Sequence, residues 1–319
     1  MRSDRPDSVG TKRGIMARTI AIFAMALLCA GPAAAAERIA LLVSADDAPY
    51  KEAVAGFHEY LARSGLQPTY ELFSLGGDAT RAGAAIQKIK QNGFNLVFSL
   101  GSLATDAASR EISDIPIVAG LVLRADTLKK APNLTGVGLD VPVDIQLSWI
   151  QKIMPQARTV GVVYNSEENK KKIEAASRAA QKLGLTLEAQ EVRTAQDVPD
   201  ALERLAKRTH VLWGLTDNIV MSPQMARPIL LFSLQNSIPV IGPSAMWVKA
   251  GALYSLDGDY KDLGAQCGEM AVNVLKGATP GTIPIASPRT IRYSLNMNTA
   301  RQMKLAISDD IVRGAKQTF

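Results

Sequence analysis

The chain reads as an α/β protein of two similar lobes, each a parallel sheet covered by helices, with a hinge between them. Three observations predict this. After residue 37, short apolar runs alternate with amphipathic helical stretches, the order that builds a parallel sheet with helices on both faces. The alternation restarts after Pro155. Local phrases also recur. Asn95-Leu96-Val97-Phe98-Ser99-Leu100-Gly101-Ser102 leads, one helix later, to Ile115-Pro116-Ile117-Val118-Ala119-Gly120. His210-Val211-Leu212-Trp213-Gly214-Leu215-Thr216-Asp217 leads likewise to Ile238-Pro239-Val240-Ile241-Gly242.

Taken in order, residues 39–43 (Ile-Ala-Leu-Leu-Val) form a strand apolar on both faces, as in a buried parallel sheet. A helix over 49–63 follows, and Gly65 stops it. A strand over 69–73 precedes a helix over 78–91, closed by Asn92-Gly93. The third strand is 96–100, its helix starts at Ser102, and the fourth strand is 115–119. The second half repeats the plan. It has strands at 159–164, 186–192, 211–215 and 239–242, and helices at 169–182, 197–207 and 223–236.

The first 36 residues read as an export signal. Lys12, Arg13 and Arg18 precede an apolar run over 20–30, Gly31 and Pro32 break it, and four alanines follow. Charged, then apolar, then small is the order of a secretory signal peptide, with cleavage expected near Ala36. Met16 suits the start of that signal better than Met1. The run is shorter than the ~20 residues a bilayer span needs. Cys29 invites a lipid anchor, but Leu28 precedes it where that processing wants a small residue. Residues 37–319 are therefore expected as a soluble periplasmic protein.

The formal net charge is +6, and the leader supplies half of it. A nucleic-acid binder needs a clustered basic face. The nearest candidate, Lys170-Lys171-Lys172, sits beside Glu167, Glu168 and Glu174 and reads as a solvated helix face. Cys267 is the one cysteine beyond the leader, so no internal disulfide is expected, and its neighbours Gly264, Gly268 and Met270 suggest a small buried residue.

In open parallel sheets, ligands bind beyond the carboxyl ends of the strands. Two such sheets facing one another make a cleft that a hinge can close. The strand-end residues are the candidate ligand contacts: Ser44, Asp46 and Ser102 in the first half, and Asn165, Ser166, Asp217 and Ser244 in the second. Ser102 opens a helix, whose free N–H groups and dipole suit a carboxylate; it reads equally as a simple cap. Asp217 follows an apolar strand with no basic neighbour. A carboxylate there needs a partner, either a bound ammonium group or the N–H groups of a helix or loop. Trp213 reads as core, and Trp247 fits a ligand contact or a packed helix face.

Catalytic machinery is not legible. His58 lies in an amphipathic helix and His210 just before a strand, on the end away from the cleft. No metal-ligand spacing and no Gly-x-Ser-x-Gly elbow is present. Leu75-Gly76-Gly77-Asp78 lacks the dinucleotide glycine pattern and the phosphate-loop lysine. Neither an enzymatic activity nor a cofactor or metal is expected.

A family resemblance rests on several segments together. They are Thr159-Val160-Gly161-Val162-Val163-Tyr164-Asn165-Ser166-Glu167-Glu168-Asn169, Thr216-Asp217-Asn218, Ile238-Pro239-Val240-Ile241-Gly242, and Gly251-Ala252-Leu253-Tyr254-Ser255-Leu256 running through Asp259-Tyr260 to Leu275-Lys276-Gly277. These resemble the solute-binding proteins of ABC transporters with the type I periplasmic-binding-protein fold, in the group that includes tryptophan- and tyrosine-type components. The resemblance implies two Rossmann-like lobes and three crossings of the chain between them. It implies a first lobe of 37–154 plus 257–280 and a second of 155–256 plus 281–319. It implies ligand contacts at Ser102, Asn165, Ser166 and Asp217. One departure is that Leu121-Val122-Leu123-Arg124-Ala125-Asp126 stands where aromatic-amino-acid binders often carry an Asp-Pro pair. The implied function is the periplasmic solute-binding component of an ABC importer, with an amino acid as one candidate solute. Its implied partners are the inner-membrane permease and its ATPase. The alternative is a periplasmic sensor that reports ligand to a membrane receptor or kinase.

Overall fold

The computed structural model describes Met1, residues 36–123 and residues 131–319. The leader, with Cys29, and Arg124 of the departing segment lie outside the described residues.

The first sheet is built from β1 (Arg38–Val43), β2 (Thr69–Ser74), β3 (Leu96–Leu100), β4 (Ile117–Val122) and β5 (Leu134–Gly138), in the order β2-β1-β3-β4-β5, all parallel. Both faces of β1 are buried, as its unbroken apolar run requires. Ile39, Leu41 and Val43 face α1 (Ala48–Arg63), while Ala40 and Leu42 face α2 (Ala82–Gln91) and α3 (Ser102–Glu111). Phe57 of α1 stacks on Phe98 of β3 with ring centroids 4.0 Å apart, the kind of aromatic pair that adds to area burial.

The second sheet uses β6 (Thr159–Asn165), β7 (Thr186–Val192), β8 (Val211–Trp213), β9 (Val240–Ile241) and β10 (Tyr254–Gly258) in the order β7-β6-β8-β9-β10. This is the same 2-1-3-4-5 winding, so the duplication read from the sequence is a duplication of topology. β11 (Ile291–Leu295) extends it antiparallel to β10, and β12 (Gln317–Thr318) closes the edge. On one face lie α4 (Val143–Ile153) and α5 (Ser166–Lys182), and on the other α6 (Val198–Leu205) and α7 (Pro223–Asn236). Trp213 is buried in the core of this lobe, as expected.

Several boundaries differ from expectation, each for a local reason. β4 begins at Ile117 because Pro116 has no N–H to give the ladder. It then runs on to Val122 through a bulge at Leu121, which takes φ 55°. α5 starts at Ser166, three residues early, because Asn165 caps it by accepting the Glu167 N–H at 3.1 Å. β5, α4, β10 and β12, with the short helices over 245–250, 297–302 and 309–314, are additions to the elements expected from sequence. α4 packs with the second sheet. Leu147, Ile150 and Ile153 bury against Val160 and Val162 of the second sheet, so the chain first crosses between lobes at 139–142, ahead of α4.

The second crossing follows β10. α9 (Tyr260–Leu275) packs on α1 in the first lobe, between α8 (Ala245–Ala250) and β11 in chain order. The two helices touch backbone to backbone. A Cβ on Gly264 would sit 1.9 Å from the Ala53 carbonyl oxygen, and one on Gly56 would sit 1.8 Å from that of Lys261. The third crossing comes later than residue 281, because Gly281 and Ala286 still bond to Pro132 and Gly136 of the first lobe. Asp259 N–H then bonds the Thr290 carbonyl at 2.9 Å, joining the second and third crossings. Cys267, on α9, is fully buried and its thiol donates to the Ala119 carbonyl; burial pushes that thiol's pKa well up. α10 (Met297–Gln302) and α11 (Asp309–Gly314) complete the second lobe.

Candidate functional site

A cavity of about 550 Å³ lies where the two lobes meet. Its walls come from both. Leu123 follows β4, and Leu139, Asp140 and Val141 follow β5; Tyr260 opens α9. Gly214, Leu215 and Thr216 follow β8, Gly242, Pro243 and Ser244 follow β9, and Leu256 and Asp257 lie on β10. Gln146 of α4 and Lys172 of α5 complete it. These are the carboxyl ends of strands in two open sheets, where ligands of such sheets bind. The volume is in the usual range for small-molecule sites.

Of the seven residues expected to contact ligand, Ser244 lines this cavity. Ser102 adjoins it: its Oγ accepts the N–H of the lining residue Leu123 at 3.2 Å. The others stand at their strand ends but are engaged within their lobes. Ser44 donates to the Leu100 carbonyl (2.9 Å) and accepts the Ala104 N–H (3.0 Å), tying β1 to β3 and α3. Gly101 is forced at this junction. Its φ is 86°, and a Cβ there would fall 2.5 Å from Ser44 Oγ and 2.8 Å from the Tyr50 hydroxyl. Asp46 accepts the Ser74 hydroxyl, joining the ends of β1 and β2. Asn165 caps α5, and its Nδ2 donates to Glu168 Oε1. Ser166 donates to Glu191 at 2.7 Å.

Asp217 is buried, and its partners are backbone. Oδ2 accepts the Asn165 N–H at 3.1 Å, and Oδ1 accepts the N–H groups of Ile219, Val220 and Met221. The carboxylate thereby closes the 217–221 loop and ties it to the end of β6. In this structure the loop supplies the partners that burial demands, the second of the two roles read for Asp217 in the sequence.

The cavity's charged groups come from elsewhere. Lys172 Nζ lies 3.4 Å from Asp140 Oδ1, linking α5 of the second lobe to the first crossing. Both side chains are partly exposed, so this pair adds ~1 kcal/mol or less. Gln146 donates to the Val141 carbonyl at 2.7 Å and accepts the Trp213 indole N–H at 2.8 Å, anchoring the same crossing to the core of the second lobe. Asp257 accepts the Tyr260 hydroxyl and the Gly258 N–H. Burial raises the pKa of the Asp257 carboxyl above its usual range, and burial with the adjacent carboxylate raises that of the Tyr260 phenol further. Sequence reasoning missed Asp140, Gln146, Lys172, Asp257 and Tyr260 as cavity residues. Asp257 carries a usable signal: it is an acid closing the run Ala252-Leu253-Tyr254-Ser255-Leu256, the same argument that points to Asp217.

Comparison with known proteins agrees with this architecture. The family model for ABC transporter substrate binding proteins matches residues 38–319. A tyrosine-binding protein of Clostridioides difficile (strain R20291) is 28% identical over 223 residues, spanning 66% of this chain and 63% of that protein, so the match covers less than two thirds of the relative's length. The ligand-free, open structure of a substrate binding protein with adhesive properties from Clostridium difficile aligns over 88% of this chain and 98% of its own, with TM-score 0.72 and 24% identity. An ABC domain in complex with L-Trp from Streptococcus pneumonia aligns over 89% of this chain and 100% of its own, with TM-score 0.59 and 23% identity. A periplasmic ribose ABC transporter structure from Conexibacter woesei shares the fold at TM-score 0.53 and 15% identity, over 90% of this chain and 100% of its own. With two parallel-rich lobes of the type I periplasmic-binding-protein fold and a family match over residues 38–319, the chain belongs to the ABC transporter substrate-binding proteins, a family of binders rather than enzymes.

Proposed function

We propose that this protein works in the periplasm, where it captures a small solute in the inter-lobe cavity and delivers it to an inner-membrane permease driven by its ATPase. The observation that carries this reading is the roughly 550 Å³ cavity walled by strand ends of both sheets. A solute bridging those walls makes contacts that only the closed lobe arrangement completes, so it shifts the population towards closure by its differential affinity. The closed form is then what the permease recognises. An amino acid is the leading solute class, because two similar proteins are described as binding tyrosine and L-Trp and the cavity carries both signs of charge.

A thermal-shift screen of the purified protein against amino acids, small carboxylates and sugars tests the reading. Ligand at a hundredfold excess over Kd adds about 2.7 kcal/mol of stability, which for a chain of this size moves the midpoint by roughly 5 °C or more. At least one amino acid should do so. A flat response across the panel, confirmed by calorimetry, overturns solute capture.

A further inference from the structure

Among the described residues, the least compensated charge in the cavity is Asp257. Its polar partners among the described residues are the Tyr260 hydroxyl and the Gly258 N–H, both neutral donors, and no lysine or arginine among them pairs with it. The groups that face it electrostatically are Lys316, which attracts it from beyond ion-pair distance, Glu52 of α1, which repels it, and Tyr260. Removing a carboxylate from water without a counter-ion costs free energy, and burial accordingly favours its protonated form. Yet this carboxylate lines a cavity large enough for a solute. A cation bound there would supply the missing charge.

We propose that Asp257 receives a protonated amine of the solute, with Tyr260 holding the carboxylate in place, so that the solute class is amine-bearing. This rests on the cavity being the capture site and adds a residue and a chemistry to it. Asp257 lies one residue before the end of β10 in the second lobe and Tyr260 opens α9 of the first, so an amine docked there touches both sides of the second crossing. Lys172 brings the opposite charge to the same cavity. Lys172 already has Asp140 at 3.4 Å, whereas a solute without an amine leaves Asp257 without a counter-ion.

The test is calorimetry on the full chain with L-amino acids, their deaminated acids and their decarboxylated amines, for wild type, Asp257→Asn and Tyr260→Phe. Asp257→Asn keeps one oxygen to accept the Tyr260 hydroxyl, removes the charge, and puts an NH2 where Oδ1 accepted the Gly258 N–H. Charge-assisted hydrogen bonds exceed neutral ones enough that it should weaken amine-bearing solutes by about tenfold or more. Its affinity for deaminated acids should not fall, and the unliganded variant should unfold as cooperatively as wild type. In wild type, affinity for the amine-bearing solutes should fall as acid protonates Asp257, and this pH dependence should vanish in Asp257→Asn. Tyr260→Phe should weaken the same solutes by less and keep the pH dependence. Amine-bearing solutes binding Asp257→Asn as tightly as wild type, or a preferred solute lacking an amine, would overturn the assignment while leaving solute capture standing. If no solute binds wild type, capture and assignment fall together.

Discussion

Replacing Gly264 with leucine should destabilise the first lobe by about 3–5 kcal/mol, the scale of a severe overpacking defect. At Gly264 the α1 and α9 backbones meet directly: a Cβ there would lie only 1.9 Å from the Ala53 oxygen, and the same closeness recurs at Gly56. No rotamer change relieves a clash with main chain, so the helices must separate. Their separation would open the cluster of Phe57, Leu61, Leu263 and Cys267. It would also displace Tyr260, the first residue of α9, and with it one wall of the cavity. Chemical denaturation should show the loss in the midpoint. Gly83→Ala is the control: a Cβ there meets nothing within 4 Å, so it should be neutral or stabilise by up to ~1 kcal/mol. Equal behaviour of the two variants would refute the close-contact argument.

Asp217→Ala should cost roughly 2–4 kcal/mol, because it orphans the four backbone N–H groups that converge on one buried carboxylate. The loop 217–221 would loosen, and its tie to the end of β6 would go. The expected signature is a lower unfolding midpoint in the absence of any solute. Asp217→Asn, which keeps one acceptor oxygen, should lose less. A variant with wild-type stability but no solute binding would instead make Asp217 a direct ligand contact, the other role its sequence position allows.

The fold was largely legible because most of its elements announce themselves. β1 and β3 are near-continuous apolar runs, α1 and α5 are amphipathic, and stops such as Gly65 and Gly184 are clear, whereas α9 came only with the family resemblance. β5 escaped because Gly136 and Gly138 interrupt a run of only five residues. α4 escaped because it follows that weak strand with no side-chain cap, and its lobe is decided by packing of Leu147 and Ile150 rather than by local pattern. For the site, the rule about strand ends pointed to seven residues, of which Ser244 lines the cavity. It did not lead to Asp140, Gln146, Lys172 or Tyr260. Those residues reach the cavity through the crossings and through α4 and α5, and where crossings pass depends on contacts more than a hundred residues apart, such as Gly138 with Ala286.

The sealed thiol of Cys267 has a practical corollary. A sulfur with no solvent contact and a suppressed thiolate reacts slowly with maleimides and other alkylating dyes. Beyond the leader, the chain therefore offers a quiet background for labelling. One cysteine engineered at the exposed Leu72 of β2 and another at the exposed Met246 of α8 would carry a donor and an acceptor fluorophore on opposite lobes and clear of the cavity, and energy transfer between them would report any change in lobe separation in real time.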